Sequence, residues 1–272
     1  MYKAVFIDVD GTLIRSDHSI SNATVDTIQK LKEKNILVVL VSARPLSGIV
    51  TIAEKIGLFN SPLVSLNGSY ISIEGSIVFN SIIKNVVTNS VHEQLQKYNS
   101  TIIYYQQTQW FSEFKNNNTD YEQEITSVPV KIQSFKNTLQ YWHNNNTGAN
   151  KILVITPEGV INKIQDDLKQ QFINDVNIYI SKSTYLEVIN KQASKVNAIK
   201  LLMARFNVKR EETIAIGDNF NDKEMIEFAG IGIAMGNAPE EVKAIADYKT
   251  DTNNNNGVSK ALDEIIGSSF KG

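Results

Sequence analysis

The sequence predicts a doubly wound α/β fold built on a parallel sheet, with an α+β unit inserted into it. Strand and helix patterns alternate over residues 1–66, as they do in chains of βαβ units. The strands there are continuous apolar runs, which is typical of strands covered by helices on both faces. The alternation gives way to hairpins and mixed helices over residues 84–186, and it resumes after residue 192.

The first strand, residues 4–7, is apolar and delivers two carboxylates, Asp8 and Asp10, followed by Gly11. Residues two apart on an extended chain point to the same side, so these carboxylates converge. Held together they repel, and the pair therefore needs a cation or a shared proton. This predicts either a metal-assisted reaction or a carboxylate nucleophile beside an acid/base partner. The alternative is that the two residues only end a strand and begin a turn.

The next elements alternate as expected of the sheet. Ser21 and Asn22 supply a helix N-cap, and Pro45 suits the first turn of the second helix. Glu74-Gly75 separates two β-patterned runs as the turn of a hairpin does. The predicted elements are a helix over 22–34, a strand over 36–41, a helix over 45–56, a strand over 62–66 and a hairpin over 70–79.

The middle of the chain differs in character, because hairpin-connected strands and helices follow one another without strict alternation. This mixture predicts an α+β module. Its aromatic residues are expected to form mostly its own core. The predicted helices lie near 86–98, 119–126, 135–143 and 159–172, and the predicted strands over 101–106, 109–114, 151–156, 176–181 and 185–189.

The α/β alternation returns in the C-terminal part. We therefore predict that residues 1–83 and 187–272 form one doubly wound, Rossmann-like core, and that residues 84–186 form the inserted unit. The elements predicted after the inserted unit are a helix over 193–206, a strand over 212–217, a helix over 222–229, a strand over 231–235, a helix from Pro239, a short edge at 248–250 and a closing helix after Gly257.

Composition excludes several classes of function. The chain has 272 residues, a net charge of −2 and no cysteine, which excludes disulfides, cysteine-bound metals and thiol nucleophiles. The charge gives no electrostatic footprint for nucleic acid, and no apolar run approaches the length of a membrane span. A secretory signal pattern is not recognisable at the N-terminus. We predict a cytoplasmic protein that does not bind nucleic acid or membrane, and that is a monomer or a weak homodimer.

Polar side chains collect where the predicted strands end. In an open α/β sheet, ligands bind outside the carboxyl ends of the strands at a switch in strand order. Five separate segments would thus bring polar groups to one edge, a convergence that is hard to obtain by chance. The groups are Asp8 and Asp10, Ser42 and Arg44, Asn67, the Asp218/Asn221/Asp222 segment, and Asn237.

Gly217-Asp218-Asn219-Phe220-Asn221-Asp222 is the second acidic segment. Asp218 leaves a strand and Asp222 lies one helical turn further, so both can face the same cavity. Joined with Asp8 and Asp10, they form a cluster of hard oxygen ligands that favours Mg²⁺. Taken alone, each of the two later residues could equally be a helix-start cap.

Four other candidates carry less information when taken singly. Ser42 at a strand end is more often a helix cap than a ligand contact, and Arg44 alone is more often a surface charge. Lys195 opens a helix, where lysine is usually solvated, but a phosphoryl group needs a balancing cation. Asn67-Gly68 alone is simply a turn.

Together, in chain order, these segments resemble the haloacid dehalogenase superfamily, and specifically the Cof-like phosphatases with a large α+β (type C2) cap. Asp8-Val9-Asp10-Gly11-Thr12 looks like the first motif of that superfamily, and Gly217 to Asp222 looks like the fourth. Ser42-Ala43-Arg44 stands where the second motif usually reads Thr-Gly-Arg, and Lys195 matches the third. Val196 follows that lysine where the superfamily usually has glycine.

The resemblance implies roles for these residues. Asp8 would be the nucleophile that forms an aspartyl-phosphate, and Asp10 the acid/base. Mg²⁺ would be held by Asp8, Asp218 and the backbone carbonyl of Asp10, with Asp222 in support. Phosphate and substrate contacts would come from Ser42, Arg44, Asn67, Gly68, Lys195 and Asn221.

The activity implied is a Mg²⁺-dependent phosphatase of small phosphorylated metabolites, sugar phosphates in particular, with the cap selecting the substrate. Two alternatives stay open at this point. One is a phosphomutase or phosphotransferase, in which an acceptor outcompetes water. The other is a non-catalytic sensor of a phosphate ligand on the same fold, although a sensor has no need of both a nucleophile and an acid/base.

Overall fold

The computed structural model describes residues 1–269, which form two sheets with their helices. The strands are β1 (Ala4–Asp8), β2 (Leu37–Val41), β3 (Leu63–Ser65), β4 (Tyr70–Ile73), β5 (Ser76–Asn80), β6 (Thr101–Gln106), β7 (Gln109–Ser112), β8 (Lys131–Ile132), β9 (Lys151–Ile155), β10 (Val176–Lys182), β11 (Tyr185–Asn190), β12 (Thr213–Gly217), β13 (Ile231–Ala234) and β14 (Tyr248–Lys249).

The helices alternate with strands in the first and last parts of the chain. They are α1 (Asn22–Glu33), α2 (Leu46–Lys55), α3 (Asn85–Leu95), α4 (Asn117–Thr126), α5 (Phe135–Asn144), α6 (Ile161–Phe172), α7 (Lys195–Phe206), α8 (Lys223–Phe228), α9 (Glu240–Lys243) and α10 (Gly257–Ser269). No helix within residues 1–269 is both long enough and apolar enough to cross a bilayer.

The first sheet has the strand order β14-β13-β12-β1-β2-β3-β4-β5. Neighbouring strands run parallel from β14 to β3, and the β4–β5 hairpin adds antiparallel strands at one edge. The chain winds outward from β1 through β2 and β3, then returns to β12 on the other side. The predicted doubly wound α/β fold is thus confirmed, and its switch in strand order lies beside β1.

Local sequence explains where these elements begin and turn. Every residue of β1 is buried, as its apolar run predicts. Ser21 caps α1 by accepting a hydrogen bond from the Thr24 amide, and Pro45 precedes the first turn of α2. The hairpin turn places Glu74 and Gly75 at positive φ, 50° and 75°, as a two-residue type I′ turn requires.

The second sheet has the order β10-β11-β9-β6-β7-β8 and is mainly antiparallel. One face packs on α3, α5 and α6 through a core that includes Val91, Tyr104, Phe135 and Trp142. Residues of the opposite face, such as Tyr105, join the hydrophobic core of the first sheet instead. This opposite face of the second sheet therefore lies against the first unit.

Two details differ from the sequence-based expectation. Strand β8 was not predicted, because its two residues are exposed and carry no pattern. The predicted division of the chain at residue 186 falls inside β11, and the structure places that whole strand in the second sheet. The division into core and inserted unit itself stays a proposal, with its second boundary after Asn190.

The chain passes between the two units twice, and the two crossings lie side by side. Asn190, at the end of β11, donates a hydrogen bond from Nδ2 to the carbonyl of Ile82 at 2.8 Å. Next to it, the amide of Ile83 donates to the Ala149 carbonyl at 2.8 Å. The outgoing and returning segments are thus fastened to each other and to the second unit.

Candidate active site

Two adjacent parallel strands bring the two acidic segments together. Strand β1 ends at Asp8 and its neighbour β12 ends at Gly217, just before Asp218. Asp222 closes the 3₁₀ turn that follows. One carboxylate oxygen from each of Asp8, Asp218 and Asp222 lies within 4.8 Å of the others. Acidic residues more than 200 positions apart thus form one cluster.

Lys195 lies behind this cluster as its counter-ion. It is the first residue of α7, whose N-cap is Ser194. Its Nζ donates hydrogen bonds of 2.5 Å to Oδ1 of Asp8 and 2.5 Å to Oδ1 of Asp222. Burial opposes the charge of this lysine, but the two carboxylates outweigh it and raise the pKa of Lys195. The ammonium therefore stays charged and fixes both carboxylates in place.

Asp222 is held on both of its oxygens. Its Oδ1 accepts from Lys195, and its Oδ2 accepts from the backbone amides of Asp218 at 3.1 Å and Asn219 at 3.0 Å. Asp222 is therefore held in one orientation at the base of the site.

The negative charges of the other two carboxylates, those of Asp218 and Asp8, are less fully offset by their neighbours. Thr12 donates to Oδ1 of Asp218 at 2.8 Å, and Asn237 lies 3.3 Å from its Oδ2. Burial first, and then the neighbouring Asp222, raise the pKa of Asp218 to about 7. The same two causes raise the pKa of Asp8 well above its ordinary value. A cation between these groups would relieve the repulsion that keeps them from ionising together.

Asp10 points away from the acidic cluster. Its half-exposed carboxylate accepts two hydrogen bonds from Arg44, 2.8 Å from Nε and 2.7 Å from Nη2. The remaining Arg44 nitrogen, Nη1, donates to the carbonyl of Ile125 on α4 at 2.9 Å. One guanidinium thus links the second acid of the first motif to a helix of the second unit.

Ser42, Asn67 and Gly68 are buried at the same sheet edge. The Ser42 hydroxyl accepts from the Arg44 amide at 3.1 Å. Asn67 donates to Glu187 of β11, and its own carbonyl oxygen accepts from Asn221 at 3.3 Å. Gly68 has φ of +91°, and an added Cβ would overlap the carbonyl oxygen of Ser194. Only a glycine lets this turn approach the start of α7 so closely.

A cavity of about 300 Å³ lies between the two units, over this edge of the first sheet. Among the described residues, five of the predicted site residues line it, namely Asp8, Asp10, Arg44, Asp218 and Asn221. Five others, Ser42, Asn67, Gly68, Lys195 and Asp222, lie behind the lining as buried partners. Their predicted contacts with a phosphate stay predictions.

The second unit contributes charged and phenolic groups that sequence reasoning did not identify. Glu122 comes from α4, Lys151 from β9 and Glu187 from β11, and all three line the cavity although each is at most 4% exposed. Tyr105 and Tyr185 lie beside them. The one available signal was a charged residue within an otherwise apolar strand, as Lys151 and Glu187 are. Nothing in the pattern of α4 distinguishes Glu122 from an ordinary surface residue.

Thr12 and Asn237 were also left out of the predicted site residues. Both lie next to strand ends, and both contact Asp218, as described above. Asn237 in addition donates to the carbonyl of Gly11 at 2.8 Å. The place of Asn237 after β13 is the signal that put it among the polar groups expected at this edge, although no role was predicted for it. The place of Thr12 after β1 could have identified Thr12 in the same way.

The acidic cluster suits a small divalent cation. Mg²⁺ prefers hard oxygen ligands at 2.0–2.1 Å, so ligands on opposite sides of the ion stand about 4.2 Å apart. The oxygens of Asp8, Asp218 and Asp222 all lie within 4.8 Å of one another, so the three carboxylates are near enough to share one ion. The side chain of Asp10 is not part of this set, since Arg44 binds it. Any contribution from Asp10 would come from its backbone carbonyl, as the sequence analysis expects.

Comparisons with known proteins agree with this geometry. A family model described as haloacid dehalogenase-like hydrolase matches residues 5–262. A Haemophilus influenzae protein is 31% identical over 97% of this chain and 98% of its own length. The 5-amino-6-(5-phospho-D-ribitylamino)uracil phosphatase of Bacillus subtilis is 29% identical, over 96% of this chain and 94% of its own. A solved haloacid dehalogenase-like hydrolase from Bacteroides thetaiotaomicron superposes with a TM-score of 0.85 at 29% identity, over 97% and 100% of the two chains.

Proposed function

Because the chain belongs to the haloacid dehalogenase-like hydrolase family, we propose that it is a Mg²⁺-dependent phosphatase of small phosphorylated metabolites, sugar phosphates among them. The observation that carries the proposal is the position of Asp8. It ends β1, is bound by a buried lysine, belongs to the three-carboxylate cluster and lines the cavity. A nucleophile, a cation site and space for a substrate therefore meet at one point.

The proposed reaction has two displacement steps. An oxygen of Asp8 attacks the phosphorus atom while the bond to the leaving oxygen breaks, so that Asp8 carries the phosphoryl group. Asp10, once released from Arg44, takes a proton from the solvent and gives it to the leaving oxygen. It then takes a proton from a water molecule whose oxygen attacks phosphorus. The bond to Asp8 breaks, and inorganic phosphate leaves.

The contacts of Lys195 and Arg44 support these roles. Lys195 bonds Oδ1 of Asp8 and so orients the carboxylate for attack. Asp10 must give up hydrogen bonds to Arg44 before it can reach the leaving oxygen, and this frees the guanidinium for a phosphoryl oxygen. When bound by Asp8, Asp218 and Asp222, Mg²⁺ would supply positive charge to the transferring group. Phosphoryl transfer depends mainly on such positioning and charge stabilisation.

The size of the cavity and a relative's substrate support a small metabolite. A volume of about 300 Å³ is at the lower end for ligand cavities, which hold about 300–1,000 Å³. The Bacillus subtilis relative carries in its name a small phosphorylated substrate with a ribityl chain. Cytoplasmic location and a monomeric or weakly dimeric state stay predictions.

The test is phosphate release with Mg²⁺ over p-nitrophenyl phosphate, sugar phosphates, nucleotides and cofactor phosphates. Asp8→Asn should lower turnover at least about a thousandfold, as removal of a nucleophile does, while circular dichroism shows an intact fold. Asp251→Asn is the matched control, because Asp251 is an exposed partner of Lys260 outside the cluster. Full activity in Asp8→Asn would contradict the mechanism.

The same assay separates the alternatives. A phosphomutase would yield an isomerised phosphate ester and little inorganic phosphate. A phosphate-ligand sensor would bind one compound tightly and turn over none of the panel. Either result would replace hydrolysis as the function of the site.

A further inference from the structure

Two glutamates from the second unit line the cavity, and they differ in how their oxygens are satisfied. Both carboxylate oxygens of Glu187 have hydrogen-bond partners. Its carboxylate accepts from Asn67 Nδ2 and from the Ser181 hydroxyl at 3.2 Å, and Lys151 Nζ lies 3.5 Å away. This glutamate is a structural link between the two units.

Glu122 is equally buried but only half satisfied. Its Oε2 accepts from the Tyr105 hydroxyl at 2.8 Å. Its Oε1 is buried and accepts no hydrogen bond of ordinary geometry from residues 1–269, although the Tyr185 hydroxyl lies near the carboxylate. Glu122 also forms no salt bridge within that part of the chain. A buried acceptor left unpaired is destabilising, so such a group in a native protein calls for a partner.

The two phenols beside Glu122 favour its role as a hydrogen-bond acceptor. Burial comes first, and then the charge of Glu122 and hydrogen bonding to its carboxylate, in raising the pKa of the hydroxyls of Tyr105 and Tyr185 above their ordinary value. Both phenols therefore stay protonated and act as donors. With Tyr105 bonded to one oxygen, the carboxylate cannot turn without losing that bond. It is a preorganised acceptor at the wall of a cavity that also contains Asp8.

We propose that Glu122 is a substrate-binding residue that selects phosphate monoesters carrying hydroxyl groups. Its free oxygen accepts a hydrogen bond from a hydroxyl of the substrate while the phosphoryl group lies at Asp8. This rests on the proposed function and deepens it, since it names the polyhydroxylated part of the substrate as what the cap recognises. The small cavity limits that part to about the size of a sugar or short polyol.

Glu122→Gln tests the assignment with little change of shape. The Gln carbonyl oxygen can still accept from Tyr105, which turns the amide nitrogen toward the cavity and replaces the free acceptor by a donor. The measurement is the ratio of kcat/KM for the best sugar or polyol phosphate to kcat/KM for p-nitrophenyl phosphate, which has no hydroxyl. We expect this ratio to fall about 10- to 100-fold, the range of one charged hydrogen bond.

Two controls make the result specific. Glu124→Gln makes the same chemical change on the exposed side of α4 and should leave the ratio at its wild-type value. Deoxy analogues of the best substrate, one hydroxyl removed at a time, should include one for which Glu122→Gln causes no further loss, because the two changes then remove the same contact. Amino analogues show whether an ammonium group binds there better than a hydroxyl.

The outcomes separate the two proposals. If wild type hydrolyses no phosphate ester, the proposed function fails. If it hydrolyses p-nitrophenyl phosphate, and Glu122→Gln lowers kcat/KM equally for all substrates or for none, phosphatase activity stands and the role of Glu122 is overturned. A ratio that falls, with a deoxy analogue insensitive to the substitution, supports the assignment.

Discussion

Two lysines of the site, one in each unit, are both 3% exposed, yet their surroundings differ. Lys195 in the core bonds two carboxylates at 2.5 Å each. Lys151 in the second unit donates to the Ala43 carbonyl at 2.7 Å and lies 3.5 Å from Glu187. The core lysine compensates charge within a dense acidic cluster, whereas the cap lysine fastens one unit to the other.

This difference indicates that the two halves of the site have different roles. On the core side, the charges behind the cluster are fixed by short contacts, as a site for phosphoryl transfer requires. On the cap side, one glutamate is saturated and the other keeps a free oxygen. Under the proposed function, the chemistry depends on side chains at strand ends, and the choice of substrate depends on the glutamate of the second unit that keeps an unsatisfied oxygen.

The largest expected effect on stability comes from replacing Lys195 by methionine, with the same replacement at Lys151 as the comparison. Lys195→Met leaves Asp8 and Asp222 buried without a counter-charge, so the free energy of unfolding should fall by about 3–5 kcal/mol. Lys151→Met should cost only about 1–2 kcal/mol, because Glu187 keeps Asn67 and Ser181 as donors. Urea denaturation in magnesium-free buffer measures both. Equal losses would contradict the distinction between the two units.

The position of α7 on the core side can be tested at Gly68. A Cβ there overlaps the Ser194 carbonyl oxygen, and φ is +91°, so Gly68→Ala should cost about 3 kcal/mol through overpacking and backbone strain together. Gly75→Ala is the control, since Gly75 also has positive φ but no atom within 4 Å, and it should cost about 1–2 kcal/mol. Turnover should fall in Gly68→Ala alone, because Lys195 follows Ser194. Similar stability and activity in both variants would refute the importance of this contact.

A metal-binding measurement tests the core cluster directly. If the three carboxylates hold Mg²⁺, a concentration of 100 times its Kd should stabilise the protein by about 2.7 kcal/mol, seen as a rise in Tm. Asp218→Asn should largely remove the rise, and Asp251→Asn should keep it. A wild-type Tm that does not respond to Mg²⁺ would argue against the site.

The smallest expected effect is a pH dependence of the second unit that comes from His92. Burial lowers the pKa of His92, partly offset by Glu113, and the ring stacks on Phe135 at 3.7 Å. The unfolded chain then binds the proton more readily, so stability is fully present above the unfolded value of about 6.5 and falls as the pH drops below it. The protection of α3 and β6 against hydrogen exchange, corrected for the intrinsic pH dependence of exchange, should therefore fall between pH 7 and 5.5 more than the protection of β1. His92→Gln should reduce the difference, and an unchanged difference would show that another group causes it.

The core half of the site could be predicted because its residues follow strand ends. In a doubly wound sheet, strand ends at the switch point meet at one edge whatever the loops do. This places Asp8, Asp218 and Arg44 at the cavity from sequence order alone. The pairing of Asp10 with Arg44 could not be predicted in this way, because it depends on side-chain conformations and on the position of α4.

The cap half could not be predicted for a physical reason that its aromatic residues illustrate. Tyr104 and Tyr105 are neighbours on β6 and point to opposite faces of the sheet. Tyr104 packs with Phe135 and Trp142, and Tyr105 faces the first unit. Their sequence pattern is the same on both faces, so it does not indicate which face meets the core. The same applies to Glu122, because its place at the cavity also depends on which face of the second sheet meets the core.

The bond from Asn190 to Ile82 has a consequence for how a substrate enters. Because the two crossing segments are joined to each other, both covalent connections between the units lie at one place. The movement of the second unit that keeps both connections intact is a rotation about that junction. Such a rotation would widen the cavity on one side only, and a substrate would enter and leave on that side.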